Sequence, residues 1–291
     1  MRTGILLLDK PAGISSNAAL QRVRRLLGAA KAGHVGTLDP LATGMLPICL
    51  DEATKIAGDI ISARKRYRFS IGLGTRTATG DAEGAVLESL PVPALQVADI
   101  ERALALFLGR QRQIPPMYSA LKKDGEQLYR LARAGKEVPR AAREIVISEL
   151  QLVGFDGREL ALEVLCSKGT YVRTLAEDVA RALGSCGYVT RLHRLYVEPF
   201  MSEPMHTLES IASARAAGEY PVLIAADFAI GHVAAVHLDA PRVQRLRQGQ
   251  AVAADATASG RVRLYDASGC FFGMGEADER GQVRPRRLFI L

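Results

Sequence analysis

The chain has 291 residues, 48% hydrophobic and 24% charged, enough to bury a core without disulfide or metal staples. Lys and Arg number 38 against 31 Asp and Glu, and the net charge of +7 excludes an acidic, self-repelling chain and points to polyanionic partners. The four cysteines form no C-x-x-C pair, the apolar run Ile5 to Leu8 is too short for a signal peptide, and no stretch nears the ~18 apolar residues of a membrane span, so a cytoplasmic protein without a zinc or disulfide framework is expected.

In chain order, Gly4 to Asp9 reads as a short buried strand closed by Lys10-Pro11. Ser15 or Ser16 caps a helix with apolar positions Leu20, Val23, Leu26 and Leu27, and Gly28 stops it. Its other face carries Arg22, Arg24 and Arg25, as solvated charge or as phosphate contacts. A Gly-rich loop, Ala32 to Gly44, leads into Leu46 to Leu50, a buried strand or helix start. Tyr67, Phe69, Ile71 and Leu73 alternate with Arg66, Arg68, Ser70 and Gly72, which predicts a strand with one face inward. Helical spacing covers Asp99 to Leu108 and Glu126 to Ala134, each closed by a glycine. Leu160 to Cys166 alternates as a strand, Leu175 to Leu183 forms a helix stripe, and Tyr188 to Val197 is a further strand.

These elements lack regular β-α-β alternation, which predicts α+β with a largely antiparallel sheet flanked by helices. After a boundary near Gly231 the pattern turns to short strands: Val233 to Leu238, Arg261 to Tyr265, Cys270 to Gly275 and Arg287 to Leu291. Turns at 266–269 and 278–281 and a short helix from Pro241 to Arg247 join them. Residues 233–291 hold nine arginines against six acids, a modest basic surplus.

The chemistry concentrates in residues 33–47, G-H-V-G-T-L-D-P-L-A-T-G-M-L-P. Gly33, Gly36 and Gly44 permit backbone that bulkier residues forbid, or close approach of another molecule. Pro40 fixes its own φ and drives Asp39 toward extended backbone. A carboxylate thus sits at a stiff bend flanked by apolar Leu38 and Leu41. The same residues would also make a plain Asp-Pro surface turn. An apolar loop with so many special backbone positions argues for a shape kept for a purpose.

G-T-L-D-P followed by A-T-G resembles the signature of the TruB family of pseudouridine synthases, which groups bacterial tRNA pseudouridine-55 synthases with dyskerin-type guided enzymes. The resemblance extends through L-L-L-D-K-P-x-G-x-S-S-N at Leu6 to Asn17, K-R-Y-R at Lys65 to Arg68, and G-T-R-T-A-T-G-D-A-E-G at Gly74 to Gly84. It continues through I-P-P-M-Y-S-A-L-K at Ile114 to Lys122, S-K-G-T-Y-V-R-T-L at Ser167 to Leu175, and R-L-H-R-L at Arg191 to Leu195. Pro115 to Gly135 looks like the insertion by which the bacterial members clamp the tRNA elbow. G-M-G-E at Gly273 to Glu276 lies in a module similar to the RNA-binding PUA-type domain.

The resemblance implies a catalytic domain over 1–230, with an RNA-clamping insertion at about 110–143, and a PUA-like domain over 231–291. It implies Asp39 as the essential carboxylate, Arg173 as its partner and Tyr67 as a ring stacked on the target base. Tyr171 and Leu192 follow as substrate contacts, and His34 fills the gap left by extruded bases. Lys10 is expected in a structural or phosphate-binding role. No cofactor, metal, membrane or obligatory protein partner is implied. The expected substrate is the T-arm stem-loop of tRNA, and the expected state a monomer. Two other readings stand beside this one: an RNA-folding chaperone, and a guide-dependent dyskerin-type subunit.

Overall fold

The structure, a computed structural model, describes residues 3–254 and 259–290. Twelve strands precede residue 200: β1 (Gly4–Lys10), β2 (Ala32–His34), β3 (Thr43–Leu50), β4 (Lys65–Leu73), β5 (Thr75–Thr77), β6 (Val86–Ser89), β7 (Gly109–Gln113), β8 (Lys122–Lys123), β9 (Glu126–Gln127), β10 (Arg143–Phe155), β11 (Glu159–Cys166) and β12 (Gly187–Val197). Helices α1 (Ser16–Leu27), α2 (Ala57–Ile61), α3 (Val97–Ala105), α4 (Leu128–Arg133), α5 (Val172–Ala182) and α6 (Leu208–Ala216) accompany them. An eight-stranded sheet runs β1-β3-β12-β4-β11-β10-β7, with β2 added to β3. Its pairs are antiparallel except β3 with β12.

The sheet edge at β1 and β3 is buried on both faces, which is why these strands read as unbroken apolar runs. Leu6, Leu8, Leu46, Ile48 and Leu50 enter the main core beside α1, α3 and α5, while Ile5, Leu7, Met45 and Cys49 enter a second core behind. The middle of the sheet is one-sided. Tyr67, Phe69, Ile71 and Leu73 face the main core, and Arg66 and Arg68 pair with Glu149 and Glu163 on the other face. Arg64 likewise pairs with Glu198. Arg24 turns back onto the carbonyls of Ala29 and Ala30.

Helix α1 starts and stops as its sequence dictates. The Ser15 hydroxyl accepts from Ala18 N at 3.1 Å, and Gly28 takes the left-handed conformation. Three expectations are corrected. Glu126 and Gln127 belong to the β8–β9 hairpin, so α4 begins only at Leu128. Helix α3 starts at Val97, earlier than its apolar stripe, because Gln96 and Asp99 close a reciprocal cap. The last strand runs Gln282–Leu288, not from Arg287, and Leu291 lies outside the described residues.

That strand closes a second sheet of β13 (Ala234–Leu238), β14 (Val252–Ala253), β15 (Gly260–Asp266), β16 (Phe271–Ala277) and β17 (Gln282–Leu288), ordered β13-β15-β16-β17-β14, with α7 (Ala240–Arg247) packed beside it. Its outer residues Phe271, Met274 and Phe289 join the second core behind β1 and β3.

The parallel join within the large sheet sets His193 beside Thr43 and Arg194 beside Gly44. Gly44 has φ of +94°, and a Cβ there would lie 2.3 Å from the Arg194 carbonyl oxygen. Gly44→Ala is therefore expected to lower unfolding free energy by about 3 kcal/mol. Urea denaturation should show an earlier midpoint at unchanged slope; a variant as stable as the parent would remove this approach from the account of the β3–β12 join.

Candidate active site

The loop between β2 and β3 carries Asp39. Its carbonyls and amides are held mainly by side chains from elsewhere. Ser16 Oγ donates to Leu38 O and accepts from Leu38 N, both at 2.8 Å. Gly13 N donates to Pro40 O at 2.9 Å. Lys10 Nζ donates to Pro11 O and Ile14 O at 2.8 Å and to Pro40 O at 3.3 Å. Arg194 closes the far side, with Nε on Met45 O at 2.6 Å and Nη2 on Gly36 O at 2.8 Å. Lys10 and Arg194 are both 0% exposed. The Lys10 ammonium is sealed from solvent and bonded to three backbone carbonyls. Burial lowers its pKa to about 8, against the pull of Asp39.

Arg173 enters from α5, two residues inside the helix. A cation there opposes the helix dipole, so it needs acidic company. It has two such partners. Nε meets Asp39 Oδ2 at 2.9 Å and Nη2 meets Oδ1 at 3.3 Å, a two-point grip. Nη1 lies 3.7 Å from Asp81 Oδ2. The remaining protons go to Thr79 O and Tyr118 O, each at 2.7 Å. Arg173 is buried, while 36% of the Asp39 side chain is exposed. The carboxylate is thus fixed from behind and open in front.

Protein packed around Asp39 pushes its carboxyl pKa up, and Arg173, then Lys10, pull against that shift. Burial is the largest of these effects and outweighs the guanidinium's pull. Asp81, buried, adds a second negative charge. Its Oδ1 accepts from Thr79 Oγ1 and from Glu83 N, the latter at 3.1 Å.

Tyr67 lies on β4 opposite Arg194, whose guanidinium carbon is 5.9 Å from the ring centroid. Its hydroxyl pKa is raised by burial, and the Asp39 charge reaches it. Leu192 sits on β12 in the same apolar cluster as Tyr67. Tyr171 caps α5 next to Arg173 and is half-buried. His34 stands on β2; burial and Arg194 lower its pKa, so the ring stays neutral at pH 7. Arg173 thus touches Asp39 directly, and Tyr67 lies within electrostatic reach of the same carboxylate; Leu192 shares the Tyr67 cluster, Tyr171 precedes Arg173 at the start of α5, and His34 lies where β2 enters the Asp39 loop.

Three contributors escaped the sequence reading: Arg194, Asp81 and Ser16. Arg194 shares the inward parity of Leu192 on β12, and a cation at an inward strand position is a signal for a buried partner. A cavity of about 400 Å³ touches Arg173 from among Thr79, Tyr118, Arg140 and Glu177. Asp39 does not line it.

Residues 24–172 match the model of the TruB family pseudouridylate synthase N-terminal domain. Residues 173–221 match the tRNA pseudouridylate synthase B C-terminal domain, and residues 234–289 match the model described as pseudouridine synthase II TruB, C-terminal. A protein named tRNA pseudouridine synthase B from Aromatoleum aromaticum is 49% identical over 98% of this chain and 92% of its own length. The one of the same name from Chromohalobacter salexigens is 48% identical over 98% and 94%. Among solved structures, a chain of an H/ACA RNP bound to a substrate RNA containing 2'-deoxyuridine shares the fold at TM-score 0.74 and 20% identity, over 99% of this chain and 85% of that one. A chain of a Cbf5-Nop10-Gar1 complex does so at TM-score 0.73 and 22% identity, over 99% and 85%. With the relatives near half identical along almost the whole chain, and the family model covering the Asp39, Tyr67 and Tyr171 segments, this chain belongs to the TruB family of pseudouridine synthases.

Proposed function

We propose that this chain isomerises uridine 55, in the T loop of elongator tRNAs, to pseudouridine. The observation that carries the reading is the Asp39 carboxylate, gripped at two points by Arg173 and open to the surface on its other side. An enclosed small-molecule site would bury its reactive group. A nucleotide flipped out of a large RNA needs one reachable from outside.

Asp39 opens the C1′–N1 bond, by attack on the sugar or by removing a proton from it. Either path requires the ionised carboxylate. The freed uracil turns and rejoins the sugar through C5, whose proton then leaves. Tyr67 stacks on the base, and its hydroxyl assists that proton transfer. Leu192 walls the uracil pocket, Tyr171 contacts the substrate, and His34, neutral and flat, fills the vacated stack. Residues 1–230 form the catalytic domain, with 110–143 as an RNA clamp, and residues 231–291 form a PUA-like RNA-binding domain. The enzyme acts in the cytoplasm as a monomer without guide RNA. The near half identity to proteins named tRNA pseudouridine synthase B favours this over a guided subunit, since the H/ACA chains share only the fold.

The test uses purified chain and an unmodified T-arm stem-loop carrying tritium at uridine C5. Tritium should be released without added proteins, and none released from the T-loop uridine would defeat the proposal. Asp39→Asn should cut release by about 10³-fold or more while stem-loop affinity stays within about tenfold.

The direction of the Asp39 shift sets the pH dependence. A raised pKa means that the ionised form is lost as pH falls through a point above the ordinary carboxylate value of about 4. The acid limb of kcat/KM should therefore lie above pH ~4. A limb at or below that value would show that Arg173 outweighs burial.

A further inference from the structure

Gln113 is the last residue of β7. Segment 114–142 leaves the sheet there and returns at Arg143, the register partner of Gln113 on β10. The Gln113 side chain is buried, where an amide needs partners. Both are backbone atoms of Tyr171: Oε1 accepts from Tyr171 N at 2.7 Å, and Nε2 donates to Tyr171 O at 3.1 Å. The pattern copies the two-bond exchange between facing strand residues. It also fixes the amide's orientation, because a flip would set donor on donor and acceptor on acceptor.

Tyr171 is the N-cap of α5 and makes no side-chain capping bond. A helix start without a held cap frays over its first turn. Arg173 stands in that turn, and its guanidinium must meet Asp39 at two points. The segment beyond Gln113 adds a second tie, since the Tyr118 carbonyl accepts from Arg173 Nη2 at 2.7 Å. One stretch of chain therefore holds both the backbone root of Arg173 and its charged head.

We propose that Gln113 is a positioning residue for the isomerisation: it locks the cap of α5 so that Arg173 stays aligned on Asp39. The inference rests on the catalytic reading above. Its bonds go to Tyr171, so it acts through that residue and Arg173. Losing it removes alignment and no reacting group. Chemistry should slow while RNA affinity holds. A looser Arg173 also draws less on the Asp39 proton, which moves the acid limb further up.

The experiment measures single-turnover tritium release by the full chain, enzyme in excess, across pH. Gln113→Met keeps the volume and deletes both bonds. Gln113→Glu keeps the bond accepted from Tyr171 N and serves if the first variant does not fold. Expected are a rate loss of about tenfold or more, stem-loop affinity within about threefold, and an acid limb displaced upward. In an Arg173→Lys background the same substitution should cost little further rate, because the two act as one unit. Parent-like rates and pH profile in a folded variant would overturn the proposal. So would an equal loss in the Arg173→Lys background, which would place Gln113 on another route. An inactive parent chain would instead sink the proposed function, and this inference with it.

Discussion

A loop that presents a carboxylate cannot also sit in a ladder, so its own carbonyls need donors from outside. Here the donors include two cations sealed from water, Lys10 and Arg194, bonded to carbonyls on either side of Asp39. Serine would satisfy a carbonyl without a buried charge, and Ser16 does so at Leu38. The charge of Lys10 and Arg194 therefore needs a reason beyond geometry. Burial penalises the ionised Asp39, and Arg173 and Lys10 counter that penalty. Lys10 itself is pulled down to about 8, the mark of a cation held where water is scarce. Lys10 thus does both, bracing the loop and helping to keep its carboxylate charged.

The topology makes this possible. Asp39 and Arg173 are 134 residues apart in sequence, and Arg194 and Gly36 are 158 apart. The parallel join of β3 to β12 brings the loop's end against Arg194, and the antiparallel neighbour β4 sets Tyr67 directly opposite that arginine. Helix α5, packed on β12, then delivers Arg173 from above the same strands.

Sequence pattern revealed what local rules control. Helix α1 was legible because Ser15 and Gly28 are caps with their own chemistry, and β4 because its apolar parity is clean. Strand β10 was not, since two register irregularities between Ile147 and Gly154 break its alternation. Strand β7, Gly-Arg-Gln-Arg-Gln, is a polar edge with nothing hydrophobic to count. Strand β17 contains Pro285, just past the two residues that pair with β14, and a proline inside a run reads as a break. At the site, Asp39 stood out by its stiff bend, but its pairing with Arg173 came from the family resemblance, because no periodicity links residues so far apart. Arg194 and Gln113 stayed hidden for a shared reason: a polar residue bonded to backbone leaves no complementary residue in the sequence to find.

The C-terminal sheet bears on the same loop from behind. Met45, just past the loop, gives its carbonyl to Arg194 while its side chain lies in the core shared with Phe289 and Met274. Lys55 reinforces the contact by donating to Leu288 O at 2.7 Å, and Arg287 donates to Lys55 O at 2.6 Å. The apolar face of β1 and β3 shares that core with Ala53, Ile56, Phe200 and Ile230 as well, so the C-terminal sheet closes its outer side, each Å² of apolar surface kept from water contributing about 25 cal/mol. Strand β3 thus has the Asp39 loop at its start, the main core on one face and, on the other, a core that the C-terminal sheet shares.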